Sequence, residues 1–189
     1  MKNKTYCLVV AVLLSLACHA QDFKAIRNRL EAVADSSLAV RRSVMPTLRK
    51  HGADSPQMDS LNTRIMAYDE AGLAEVRQIL DKYGWLGVSQ VGEKANGALF
   101  LTIQHAQDNK LREQYFPLLE ESAKKGESRL ADMATMKDRI LVERGEKQLY
   151  GTQYKLTDGK KTLFPVENAK ELNKRREEVG LEKLSLANE

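Results

Sequence analysis

Residues Ala98-Leu99-Phe100-Leu101-Thr102-Ile103 constrain the fold more than any other stretch of the chain. The segments before them repeat apolar residues at three- and four-residue steps, the spacing of a helix with one wet side. This run has no wet side. A helix that is apolar all the way round belongs in the centre of a fold. The run stops at Gln104-His105-Ala106-Gln107-Asp108, which reads as the polar end of a buried rod. The rest of the chain is then expected to surround a third helix, beginning near Ser89, with amphipathic helices.

The flanking segments supply them. Phe23, Ile26, Leu30, Val33, Val40, Val44 and Leu48 mark one helical face between residues 22 and 50. Pro46 should kink or restart that helix, because proline has no amide to donate. Ser55 reads as an N-cap with Pro56 at the first helical position. The second helix then turns Met58, Leu61, Ile65, Tyr68, Val76, Ile79 and Tyr83 to one side and stops at Gly84. These two helices form an expected antiparallel hairpin. Trp85-Leu86-Gly87-Val88-Ser89 is an apolar turn leading into the third helix, where Gly92 and Gly97 are expected to let a neighbouring backbone come close.

A fourth helix is predicted from about 109 to 125, with Leu111, Tyr115, Leu118, Leu119 and Ser122 inward and Gly126 as its cap. A fifth runs from about 128 to 144 and stops at Gly145. On its wheel Asp138 lies about 80° from Leu130, the centre of the apolar arc, and Arg139 falls opposite. Asp138 is therefore expected inside. From Gln148 to Leu156 the period becomes two, Asp158-Gly159 is a hairpin turn, and Lys161 to Phe164 returns. A last short helix covers 167–179. The fold class is mainly α: an N-terminal helical hairpin, a central buried helix, a multi-helix bundle and a small C-terminal β-hairpin.

The N-terminus adds a compartment. Lys2 and Lys4 precede an apolar run from Cys7 to Ala17 and then small residues to Ala20, the order of a secretory signal. The run is too short to span a bilayer, which needs about 20 apolar residues. Cleavage is expected after Ala20, leaving an exported, periplasmic or extracellular chain with no further membrane-spanning segment. A lipid anchor on Cys18 is less favoured, because Ser15 stands where a branched apolar residue is needed. Both cysteines leave with the signal, so neither a disulfide nor a thiolate is open to the mature chain. Loss of Lys2 and Lys4 lowers the formal net charge from +4 to +2, and nucleic acid is not an expected partner. No cofactor is implied, and the partner is read as an unknown small molecule or envelope component.

Six separated motifs carry a resemblance: Tyr83-Gly84-Trp85, Val91-Gly92, Gln104-His105, Asp138-Arg139, Gln148-x-Tyr150-Gly151-Thr152-Gln153 and Arg175-Arg176…Gly180-Leu181. In that order they resemble a widespread bacterial family of unassigned function, over about residues 61–184. The implied organisation is a signal at 1–20, an N-terminal helical segment at 21–60, the family-like domain at 61–184 and a tail at 185–189. The family pattern has an acidic residue where Asp108 stands, and an aspartate near Asn168. The resemblance implies an exported or lipid-anchored domain with a polar signature, and it brings no substrate.

His105 is the starting point for any chemistry, since histidine titrates near neutral pH. Asp108, three residues on, would share its helical face, and Asp138 could approach from the fifth helix. The first reading is a binding or interaction domain of the cell envelope built on this polar cluster around His105. In the alternative, these three are the candidate catalytic residues of a hydrolase or lyase, His105 pairing with Asp138 or Asp108 as acid and base. Trp85, Gln104, Gln148, Tyr150, Gln153 and Arg139 are the candidate binding residues. Equally, His105 and the glutamines could form a hydrogen-bonded plug that satisfies the end of a buried helix. In that case His105→Ala and Asp138→Asn would be costly and non-additive. No metal site is expected: there is no H-E-x-x-H, and no nucleophile elbow or phosphate loop occurs either. Arg175 and Arg176 could hold a carboxylate or phosphate.

Overall fold

The computed structural model describes residues 23–157 and 160–185. Helix α1 covers residues 23–41, and after a break at residues 42–43 the chain restarts as α2 (Val44–His51). Pro46 lies in the first turn of α2, where an amide would have no helical partner, so the proline restarts the helix. Ser55 then caps α3 (Pro56–Tyr83), its Oγ accepting from the Met58 amide at 3.2 Å, with Pro56 in the first helical position. Gly84, at φ 70°, ends it.

The expected third helix is two. α4 (Val88–Val91) stops at Gly92, whose φ of 81° breaks the rod, and α5 (Glu93–His105) begins on the far side. Gly92 is thus used for its backbone. A Cβ there would meet only Arg27, 3.7 Å away, and one on Gly97 would meet nothing within 4 Å. Close approach falls elsewhere. A Cβ on Gly72 of α3 would lie 2.9 Å from Val33 Cγ1 on α1, and one on Gly87 would lie 2.7 Å from Glu127 Cβ.

α6 (Asn109–Lys124) and α7 (Leu130–Glu143) pack as an antiparallel pair against α5. β1 (Tyr154–Thr157) and β2 (Lys160–Leu163) pair antiparallel, Tyr154 opposite Leu163. The strand expected from Gln148 starts only at Tyr154. A single 3-10 turn (Ala169–Glu171) leads into α8 (Leu172–Glu178). The predicted turn at Asp158-Gly159, both cysteines and the predicted cleavage site lie outside the described residues. No helix among the described residues is long and apolar enough to cross a membrane.

The main core joins Ile26 and Leu30 of α1, Val76, Ile79 and Leu80 of α3, and Ala95, Leu99 and Ile103 of α5. Tyr115 and Leu119 of α6 and Ala134, Met136 and Ile140 of α7 complete it. A smaller cluster of Val40, Met58 and Leu61 closes the other end of the α1–α3 hairpin. α5 is central, as its composition requires, with one exception. Leu101 is 49% exposed, and Thr102 beside it is half-buried. Tyr68, expected inward on α3, is exposed as well.

Candidate functional site

Ala98, Leu101, Thr102 and His105 follow at steps of three, one and three, which places them on one stripe of α5. That stripe lines a groove of about 420 Å³. Along one side run Val33, Ala34, Ser37, Leu38 and Arg41 of α1, and along the other Met66, Asp69, Gly72 and Leu73 of α3. Asp108 and Leu111, at the start of α6, complete it at the His105 end. The groove thus occupies the stretch of the α1–α3 hairpin between its two apolar clusters. Gly72, with no side chain, lets Val33 approach there.

Polar groups enter the groove in few places. Arg41 Nη2 meets Asp69 Oδ2 at 2.7 Å, and Arg41 Nη1 donates to Ser37 Oγ at 2.5 Å. Asp108 caps α6 by accepting from the Lys110 amide at 2.9 Å. α5 ends at His105, so Asp108 belongs to the next helix and does not share a helical face with the histidine. The His105 side chain is exposed within the groove and makes no hydrogen bond among the described residues. Partial desolvation by the walls lowers its pKa from the ordinary histidine value, and Arg41 lowers it further; Asp69 pulls the other way. Desolvation and Arg41 both favour the uncharged imidazole.

Asp138 lies elsewhere, fully buried on α7. One of its carboxylate oxygens accepts from the amides of Leu149 and Tyr150, at 2.7 and 3.0 Å. The other takes the Thr152 amide at 3.0 Å and the Thr152 hydroxyl at 2.9 Å. Gln148, also fully buried, donates to the carbonyls of Gln153 and Phe164 and accepts the Gln153 amide at 2.8 Å. Gln153 reaches the Thr135 carbonyl on α7 at 3.3 Å. From α8, Arg176 donates to the carbonyls of Tyr150 and Gly151, and Arg175 to those of Leu149 and Glu167. The loop 148–153 is therefore gripped by a carboxylate on its amides and by two guanidiniums on its carbonyls. Each buried polar group in it has a partner, as a sealed structural network requires. The two arginines hold backbone carbonyls.

A family of unknown function (DUF6624) matches residues 24–187. The chain belongs to this family. The match takes in α1 and α2 as well as the region from 61 onward, in keeping with Ile26 and Leu30 lying in the main core. No curated protein and no solved structure matches.

The remaining predicted residues scatter. Trp85 is half-buried, its indole nitrogen buried and without a hydrogen bond among the described residues, and it lines a second cavity of about 280 Å³ with Leu118, Lys125 and Glu127. Gln104 is buried on α5, its Oε1 without a hydrogen bond among the described residues. Tyr150 serves the clamp through its backbone; burial, then nearby Asp138, raises the pKa of its phenol. Arg139 faces outward, as the helical wheel predicts, and pairs with Glu143. Among the described residues, no three of His, Cys, Asp and Glu come together as metal ligands would.

Sequence reasoning missed Arg112, a fully buried arginine on α6. It donates to the carbonyls of Gln104 and Ala106, which satisfies the end of α5, and its Nε donates to Asn109 Oδ1 at 3.0 Å. Glu143 stands 3.4 Å from Nη2, close enough to pair in charge but not aligned for a hydrogen bond. The signal was legible: Arg112 lies one residue after Leu111 and three before Tyr115, on the edge of an otherwise apolar face. The groove itself was missed because its exposed apolar residues carry the same periodicity as core residues.

Proposed function

We propose that the protein is an exported binding module whose groove between α1, α3 and α5 takes up a small apolar molecule in the cell envelope. One observation carries this reading. Of six exposed large apolar side chains among the described residues, four (Leu38, Met66, Tyr68 and Leu101) line the same groove. Scattered apolar residues on a surface need no explanation, but a contiguous concave set marks a binding site. Export rests on the charged, apolar and small-residue order of residues 2–20.

Binding accounts for the groove better than catalysis does. A histidine acting as general base is ordinarily held in one tautomer by a carboxylate. Here Asp138 is spent on the 149–152 loop, Asp108 on the start of α6, and Asp69 on Arg41.

Nile Red, an uncharged solvent-sensitive dye, tests the reading. Its fluorescence should rise and shift blue on binding, and Leu101→Asp should abolish the response. Met45→Asp, at an exposed apolar residue that does not line the groove, should leave the response intact. A dye response that survives Leu101→Asp would refute the groove as the site.

A further inference from the structure

Resting on that reading, we infer that the molecule held in the groove is uncharged, an apolar body bearing one hydroxyl or carbonyl group that meets Thr102 and His105. Three of the four charged groups that line the groove, Arg41, Asp69 and Asp108, are already engaged. Arg41 is taken by Asp69 and Ser37, and Asp108 by the first turn of α6. Glu70 is exposed to water, where its field is screened. An ionised ligand head would have to part Arg41 from Asp69 or lie unpaired against apolar walls, and both are costly.

The groups left open are of another kind. Thr102 Oγ1 and the His105 ring make no hydrogen bond among the described residues, and both project from the α5 stripe that lines the groove. A hydroxyl donates one hydrogen bond and accepts others, and a neutral imidazole has one donor and one acceptor. The charged groups acting on His105 come from every neighbouring element: Arg41 from α1, Asp69 from α3, Arg112 from α6 and Arg139 from α7. Desolvation by the walls, and then the excess of positive over negative neighbours, favours the neutral ring, which suits an uncharged polar group. The volume, about 420 Å³, falls within the range of small-molecule sites and is small for a partner helix.

Three probes of equal chain length separate the alternatives: decanol, decanoate and decylamine, each titrated into the full chain at neutral pH. Binding is read from the NMR methyl signals of Leu38 and Leu101 and from the His105 ring. Decanol should bind at least about tenfold more tightly than either ion. Thr102→Val and His105→Ala should each weaken decanol about three- to tenfold and leave the ions unchanged. Either ion binding as tightly as decanol, or decanol affinity indifferent to both substitutions, overturns the inference while the groove reading stands. If none of the probes moves these signals, the groove reading falls with it. The same holds if the signals broaden with protein concentration alone, since a second copy of the chain would then fill the groove.

Discussion

Asp138→Ala tests the structural clamp directly. The substitution removes one acceptor group from three backbone amides and a hydroxyl, those of Leu149, Tyr150 and Thr152. A buried donor left without a partner costs about 1–3 kcal/mol, and these residues are only half-buried, so water recovers part of the loss. The expected cost is about 3–5 kcal/mol. Asp138→Asn keeps one oxygen for Leu149 and Tyr150 but turns an NH₂ group towards the Thr152 amide, donor against donor. It should cost about 2–3 kcal/mol. With a urea slope of about 2 kcal/mol per molar, Asp138→Ala lowers the unfolding midpoint by about 2 M. Amide exchange adds a local readout, because the 149, 150 and 152 amides should lose protection first. A midpoint shift below about 0.5 M would refute the reasoning, since the loop would then be held by something other than the carboxylate.

His105→Ala should change stability by less than about 1 kcal/mol and add to Asp138→Asn without coupling, because the two residues share no partner. A double-mutant cycle in urea checks this, and it replaces the coupled behaviour that the sequence suggested. The His105 ring should titrate below the ordinary histidine value of about 6.5, and Arg41→Gln should raise it by removing a repelling charge and freeing Asp69. The folded chain resists a proton that the unfolded chain accepts, so stability present above the ordinary histidine range declines as pH falls through it. His105→Ala should flatten that part of the stability profile, and NMR titration supplies the ring values. Arg112→Met should cost about 3–5 kcal/mol in the same urea assay, because Glu143 and the carbonyls ending α5 lose a buried guanidinium.

Helix ends were legible because they depend on a few local residues. Ser55-Pro56 starts α3, Gly84 stops it, and Gly126, Gly145 and Gly180 each follow a helix with positive φ. Asp138 lies inside, as expected, although Leu130, read as the centre of the apolar arc, is itself exposed, so the true inward face is turned away from it. Two things were not local. The alternation over 148–156 looked like strand, but long-range bonds from Asp138, Arg175 and Arg176 hold 148–153 as a loop. The all-apolar stripe of α5 was assigned wholly to the core, although Leu101 and Thr102 face a groove. Composition cannot separate a buried face from one that lines an open cavity, since both are apolar with a period of 3.6. His105 was recognised as a site candidate, yet its neighbours turn out to be Arg41 and Asp69 from segments more than 30 residues earlier.

The grip on the 148–153 loop sets an order of assembly. A chain that emerges from its N-terminus makes Asp138 about ten residues before the amides it must hold, and those amides another 25 or so before Arg175 and Arg176. Asp138 finds its partners once residues 149–152 are out, but the loop carbonyls wait for Arg175 and Arg176 of α8. Synthesis at roughly 5–20 residues per second spans this interval in a few seconds. Over that time the α1–α3 hairpin can pair through local contacts while the loop is held from its amide side alone. Arg175 and Arg176 are thus the last partners of the loop to be made, and the grip is complete only when the final helix is present.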